Sequence, residues 1–475
     1  MLALMLFSNN VKPCVAKHLH GVHTTSRRWF APLAILALTF HLSAQVAFAP
    51  ATNFTVGSWP DSVLAVDVNA DGKVDLVCID TGNFGLSVLT NTGSGGFVLG
   101  SSPSVDGGVY WITAGDVNGD AKVDLICESY YELNTLSMMT NDGNGNFALS
   151  SKIAMPYEDS MFMAADMNGD NMVDLLKYNG GISIFTNDGF GSFVIDPPYA
   201  VSTWSPPAGG PWGGGPAVMV TADVNGDGKT DIILGKPYDN TLSVMTNNGS
   251  GVLVLSATLI TGNGCYTFAA GDVNGDGRVD LICANSGDNT LLVFTNNGSA
   301  GFVTNAIYAV GTYPYSVITA DINGDGKLDL ICANNGTNTL TILTNNGSGG
   351  FVLAATPNVG SGPSSVAAAD VNGDGKLDLI CSIGSSNRLT VLINTSVFQP
   401  PAFILPLTIN QQTHGMHVSW PSFSPGWSLQ QNSSLVNASW LPSGYDGYAI
   451  ADDGINKSLT LPLITGNVFF RLLHP

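Results

Sequence analysis

The amino-acid sequence predicts an all-β chain, a seven-bladed β-propeller closed by its own N-terminal strand and followed by a small β-module. Three observations predict it. A nonapeptide D-x-N-x-D-x-x-x-D starts at Asp67, Asp116, Asp166, Asp223, Asp272, Asp321 and Asp370, at spacings of 49, 50, 57, 49, 49 and 49 residues; a fixed period of this size marks a repeat architecture. Short apolar runs flank each copy, as at 62–66 and 76–79, and a third run (86–89) and a Gly-rich turn (91–97) complete the unit, the alternation expected of strands and turns. Of 36 acids 33 are Asp, beside 56 Gly and 24 Pro, a composition that favours turns over helix surfaces.

Taken in order, the chain opens with Arg27 and Arg28 before an apolar run, 29–42, that closes on Ala47-Phe48-Ala49. A basic flank, an apolar stretch and a small-x-small site describe an export signal, so residues 1–49 are expected to be a signal peptide and the protein secreted or held at the cell surface. Residues 26–30, Ser-Arg-Arg-Trp-Phe, resemble a twin-arginine export motif, although Ala31-Pro32 replaces its usual Leu-Lys. No other run approaches the ~18 apolar residues of a membrane span.

The propeller is expected over 50–398. The Gly-rich turn recurs at 141–147, 187–193, 247–253, 296–302 and 345–351, six copies in all against seven nonapeptides. One fourth strand is therefore missing at the end, and Asn53-Phe54-Thr55-Val56 supplies an orphan strand at the beginning. Pairing the two closes the ring and protects the sheet edges that an open array would expose.

Residues 51–396 resemble the FG-GAP or VCBS repeat family, which includes the propeller of integrin α-chains and many exported bacterial proteins. The resemblance implies that the nonapeptide joins the first two strands of each blade and binds calcium. The residue types agree, because calcium takes six to eight hard oxygens in flexible geometry and alternating Asp and Asn on a tight loop deliver them. The expected ligands are Asp67, Asn69, Asp71 and Asp75; Asp116, Asn118, Asp120 and Asp124; Asp166, Asn168, Asp170 and Asp174; and Asp223, Asn225, Asp227 and Asp231. The last three loops offer Asp272, Asn274, Asp276 and Asp280; Asp321, Asn323, Asp325 and Asp329; and Asp370, Asn372, Asp374 and Asp378. The backbone carbonyl at position 7, such as that of Lys327, and water complete the shell.

Turns alone need one Asp, whereas these loops take 21 of the 36 acids. Cleavage after Ala49 removes four positive charges and takes the net from -20 to -24, and seven Ca²⁺ would return it to -10. Position 6, where the turn needs positive φ, is Gly in five loops but Ala121 in the second and Asn171 in the third, so the Asp116 loop is expected to be weakest. A loop between strands that ends on Asp at position 9 excludes a helical calcium hand.

Cys78, Cys127, Cys283, Cys332 and Cys381 all lie 11 residues after the first Asp of their units, where Lys177 and Leu234 stand in units three and four. Equivalent sites on neighbouring sheets ~10 Å apart do not bridge, since a disulfide needs Cα atoms within about 7 Å. Cys265 has no obvious partner.

After Gln399-Pro400-Pro401, a second domain is expected over 399–475, with strands near 417–420, 427–430, 458–461 and 469–472. Its Trp427-Ser428-Leu429-Gln430 and Phe469-Phe470-Arg471-Leu472 resemble a C-terminal module of exported proteins from Verrucomicrobia-like bacteria.

The acidic balance excludes a nucleic-acid partner, which needs a basic stripe. No His lies between 50 and 400, and there is no Gly-x-Ser-x-Gly elbow. Asp106, Asp159, Asp196 and Asp239 stand outside the loops without a recognisable pairing. The expectation is a non-enzymatic recognition or adhesion module for a carbohydrate or extracellular protein; an exported hydrolase or lyase of polysaccharide or lipid, or a structural spacer, are the alternatives. Connections between blades should emerge opposite the calcium loops, and they carry Trp59, Tyr110, Trp111, Tyr157, Trp204, Trp212, Tyr266, Tyr313 and Tyr315. Trp59, Trp111, Trp204, Trp212, Tyr266, Tyr313 and Tyr315 are the expected ligand-binding rings, with Trp204 and Trp212 on the Pro-stiffened insertion that lengthens the fourth connection.

Overall fold

Each repeat folds because its runs alternate in a way that buries one face of a sheet against the sheet before it and the other against the sheet after it. The computed structural model describes residues 46–397 except 110, 130–134, 155–160, 171, 179–181, 196–217, 238, 250–252 and 299–300, and then strands within 408–473. In blade 1, β2 (Pro60–Val66), β3 (Asp75–Asp80), β4 (Gly85–Gly93) and β5 (Gly96–Ser101) form an antiparallel sheet in sequence order. Five further sheets repeat this order, starting at Trp111–Gly115, Met161–Ala165, Val218–Ala222, Cys265–Gly271 and Pro314–Ala320.

The seventh sheet contains Pro363–Ala369, Asp378–Ile383 and Arg388–Leu392, and its fourth strand is β1 (Thr52–Thr55). Thr52 pairs with Val391, Asn53 with Thr390, Phe54 with Leu389 and Thr55 with Arg388. The ring is closed as the strand count requires. Pairing begins before residue 50: Phe48 bridges Asn394, Ala49 N–H donates to the Ile393 carbonyl at 2.8 Å, and Thr395 N–H donates to the Ala47 carbonyl at 2.8 Å. Val46 is buried beside the blade 6 and 7 side chains. A leader cut after Ala49 would remove these contacts.

Seven apolar clusters fill the seven gaps between blades. The residue 11 after the first Asp faces the preceding blade, so Cys78 packs with blade 7, Cys127 with blade 1 and Cys381 with blade 6. The next residue faces the following blade, as Ile79, Tyr178 and Ala284 do. All six described cysteines are buried free thiols, and the Cys283 thiol shares a hydrogen bond with Cys265 of its own blade.

The same register makes one gap unlike the rest. Glu128 of blade 2 and Lys177 of blade 3 meet where the other gaps oppose uncharged residues; both are buried, and the Lys177 ammonium lies 5.2 Å from the centre of the Phe162 ring. Burial pushes the Glu128 carboxyl up to about 8 and the Lys177 amine down to about 8, each opposed in part by the other's charge.

The C-terminal unit has two sheets. One orders Thr408–Gln412, Gly415–Pro421, Asn456–Leu461 and Ala451–Asp452, and the other Leu441–Pro442, Ser428–Asn432 and Phe469–Leu473. Trp427 lies outside the described residues. Among the described residues no helix is long and apolar enough to cross a membrane.

Candidate metal centre and the opposite face

The nonapeptide loops sit between the first and second strands of every blade, where alternating short acceptors fold the backbone around their own oxygens. In the first loop the Asp67 carboxylate accepts N–H groups from Asn69 (3.3 Å), Asp71 (3.3 Å) and Gly72 (2.9 Å). Asn69 Oδ1 accepts from Asp71 N–H and Asp71 Oδ1 from Lys73 N–H, both at 2.9 Å. Position 9 is the anchor, with Asp75 Oδ2 accepting from Val68 N–H at 3.1 Å and Oδ1 from Asn91 N–H at 2.8 Å. The six other loops repeat the position 9 pattern. Each position 9 carboxylate oxygen keeps a second lone pair beyond these bonds.

Asp75, Asp124, Asp174, Asp231, Asp280, Asp329 and Asp378 are fully buried. Burial raises every one of these carboxyls, backbone N–H groups pull it back in part, and the charge at position 5 raises it again; Asp329 reaches about 7. Such a carboxylate set is held against its own repulsion, and a hard dication relieves it. The donor set therefore fits calcium.

In the second loop Asp116, Asp120 and Asp124 bring carboxylate oxygens within 4.8 Å of one another. Ala121 there takes φ 63, the left-handed conformation that Gly supplies elsewhere, and Ala70 at position 4 of the first loop takes φ 57. Two loops thus carry a strained alanine. Asn171 lies outside the described residues.

Two features of the loops are absent from the sequence reading. Position 7 is basic in six loops, and Lys73, Lys122, Lys229, Arg278, Lys327 and Lys376 pair with the Asp at position 5 over 2.7–3.8 Å, exposed contacts of small energetic weight. The second is a ring of asparagines at the end of every third strand: Asn91, Asn141, Asn187, Asn247, Asn296, Asn345 and Asn394. Each donates its backbone N–H to its own position 9 Asp and its side-chain amide to two carbonyls, at position 8 of its own loop and at position 2 of the preceding blade's loop. Asn345 does so at 2.7 Å to Val273 and 2.8 Å to Leu328. Neighbouring loops are stitched together, and the signal in the sequence was an Asn recurring 21–25 residues after each first Asp.

At the opposite ends of the strands, the connection from one blade enters the next beside a second-to-third-strand turn. Trp59 N–H donates to Asn387 Oδ1 of blade 7 at 3.1 Å, and Tyr313 N–H to Asn289 Oδ1 of blade 5 at 2.9 Å. Gly264 and Gly362 make the same bond to Asn240 and Asn338. Trp59, Phe84, Tyr266, Tyr313 and Tyr315 are exposed here. Trp111 instead packs, partly buried, against the cluster between blades 2 and 3, which is a gap-filling role. Tyr110, Tyr157, Trp204 and Trp212 lie outside the described residues, as do Asp159 and Asp196. Asp106 is bridged to Lys152 at 3.2 Å.

A family model described as an FG-GAP-like repeat matches residues 67–127, 166–234, 223–283, 272–332 and 321–381. No curated protein matches the chain in sequence. Among solved structures, BBS1N, crystallised in complex with ARL6DN, is 13% identical with a TM-score of 0.55, over 75% of this chain and 99% of that one. Streptogramin B lyase is 15% identical with a TM-score of 0.50, over 73% of this chain and 98% of the lyase. Both likenesses are of fold.

Proposed function

The chain belongs to the FG-GAP-like repeat family, and from that premise we propose that it is an exported recognition module in which calcium stiffens the propeller and the opposite face takes a carbohydrate or protein ligand. The observation that carries this reading is the division of labour between strand ends: acidic loops at one, and at the other Trp59, Phe84, Tyr266, Tyr313 and Tyr315, with Phe190 of the 187–193 turn the one exposed aromatic ring on the acidic side among the described residues. Positions 1, 3, 5 and 9 of each loop would hold the ion, with the position 7 carbonyl. Bound calcium supplies charge compensation, and the chain's own asparagine ring ties the backbone of each loop to that of the preceding blade. Each loop filled at a hundred times its dissociation constant would add about 2.7 kcal/mol to stability. The ligand face gains rigidity from this without contact to the ion.

The test is metal analysis and calorimetry of the exported protein at millimolar calcium, beside a screen of labelled glycans and matrix proteins with and without EDTA. About seven ions per chain, a Tm that falls with EDTA and a ligand retained only with calcium are expected. Fewer than four ions, or a Tm indifferent to EDTA, would defeat the metal assignment.

A further inference from the structure

Eight residues before the first Asp of the loop, in each of the five blades where this position is described, the connection between blades turns through the left-handed region. Gly108, Gly264 and Gly362 stand there with φ 76, 70 and 68. Trp59 and Tyr313 stand at the equivalent positions of blades 1 and 6 with φ 54 and 57. A bulky side chain in this conformation is strained, and strain of this kind gathers where function holds it in place. Neither ring repays it by burial, since Trp59 is 63% and Tyr313 57% exposed. The Trp59 ring is nonetheless fixed: its backbone is latched to Asn387, and it lies against Gly82 and Gly384, where added Cβ atoms would come within 3.0 and 3.5 Å of it.

Blade 7 lies between these two rings in the order of the ring and carries small residues at its own connection, Gly362-Pro363-Ser364. There the Ser364 hydroxyl bonds the Asp61 carbonyl at 3.0 Å and shares a bond with the Ser382 hydroxyl at 3.0 Å, while the Ser385 hydroxyl donates to the Ser361 carbonyl at 2.8 Å. Residues 57–60, 311–315, 335–338, 360–364 and 384–387 contain no charged side chain. The geometry points to a subsite for a neutral oligosaccharide over blade 7, with Trp59 and Tyr313 as its two stacking platforms. This rests on the reading of the opposite face as the ligand surface and names its ligand class.

The chemistry favours sugar over peptide or acidic polymer. Flat rings offer an apolar face to the C–H side of a pyranose while serine hydroxyls and asparagine and threonine groups offer hydrogen bonds around it. These segments carry no basic residue of their own, and the neighbouring Arg388, whose guanidinium lies against Gly360, is a single charge where an acidic chain would need several. Two platforms separated by a blade suit a chain of sugars over a single ring, and a ring already held, as that of Trp59 is, loses little freedom on binding.

The test replaces each ring by the glycine that blades 2, 5 and 7 use. Trp59→Gly with Tyr313→Gly removes both platforms and relieves both strained positions, so Tm should be equal to or above that of the parent. Titration calorimetry in calcium uses neutral hexaoses of the cello, malto, manno and laminari series, with a hexamer of galacturonic acid as the charged counterpart. The expected result is binding of at least one neutral hexaose, a tenfold or greater loss in the double variant, and no binding of the acidic hexamer. A sugar bound equally by parent and variant leaves the opposite-face reading standing and overturns this subsite. Binding of none of the neutral sugars overturns it whatever protein ligand the face takes, as does preference for the acidic hexamer. A fall in Tm of more than about 5 °C, several times the shift that 1 kcal/mol gives in a domain of this size, shows the rings to be packing elements and overturns it as well.

Discussion

Replacing Asn345 by Ala isolates the stitch between loops, because the backbone N–H that holds Asp329 Oδ1 at 2.7 Å is untouched by the change. What disappears is the buried amide: its bonds to the Val273 carbonyl at 2.7 Å and the Leu328 carbonyl at 2.8 Å, and the acceptor for Gly347 N–H at 2.8 Å. Water reaches Gly347 in its turn. The two carbonyls are left without partners at the junction of blades 5 and 6, and an unsatisfied buried polar group costs about 1–3 kcal/mol. The expected loss is about 3 kcal/mol, larger than a typical point substitution. Asn345→Asp should cost more than the alanine, since a carboxylate would then face two carbonyl oxygens and the neighbouring Asp329. Guanidinium unfolding of the calcium-loaded protein, followed by fluorescence and by hydrogen exchange of blades 5 and 6, measures both. A loss under 1 kcal/mol for the alanine, or an aspartate milder than the alanine, would refute the stitch.

Two further outcomes follow from the closure. Asp80 is buried with Oδ1 unpaired among the described residues, and Oδ2 accepts the Ser87 hydroxyl at 2.6 Å; burial pushes its carboxyl up to about 6 from an ordinary 3.8. The folded protein then holds a proton that the unfolded chain releases, so stability falls as pH rises from about 4 through 6. Asp80→Asn, the residue found at this place as Asn285 and Asn334, should stabilise by about 1–2 kcal/mol at pH 8, half the full linkage value, and by nothing at pH 4. Equal effects at both pH values in thermal melts would rule out the burial argument. Mass spectrometry will locate the first residue of the exported protein, and a chain beginning at Pro50 should be less stable than one beginning at Val46 by roughly 3 kcal/mol, for three lost hydrogen bonds and a buried valine. Equal denaturation midpoints for the two chains would show that the extra pairs are idle.

The sequence reaches furthest where a single period carries the information. Seven nonapeptides against six turns sufficed to place β1 beside the last strand, down to Asn53 and Phe54, because strand count and ring closure are arithmetic on one chain. The cysteine register was legible for the same reason. What escaped are relations between periods. Glu128 and Lys177 are 49 residues apart, and their meeting appears only once it is known that consecutive residues of a second strand face opposite neighbours. Asn91 and its six counterparts read as the start of a Gly-rich turn, since nothing local says that an amide reaches into the preceding blade. Residues 46–49 read as part of a leader because Ala47-Phe48-Ala49 fits a cleavage site, while their pairing partners lie some 345 residues away.

Trp59 and Tyr313 show how such a scaffold gains a surface without disturbing its frame. The four latch bonds from Trp59, Gly264, Tyr313 and Gly362 have the same donor and the same acceptor type whether the donor is glycine or a large aromatic. The fold therefore tolerates any side chain that can bear the left-handed backbone, and the local cost is set by the residue and not by the blade. The carboxylate loops at the other strand ends are separated from these positions by the full length of an inner strand, so changes at one end leave the ligands at the other in place. A repeat that fixes its metal loops and its latch leaves this position free to vary, and the two blades that spend it on exposed aromatic rings, blades 1 and 6, are those on either side of blade 7, one of the blades that keep it glycine.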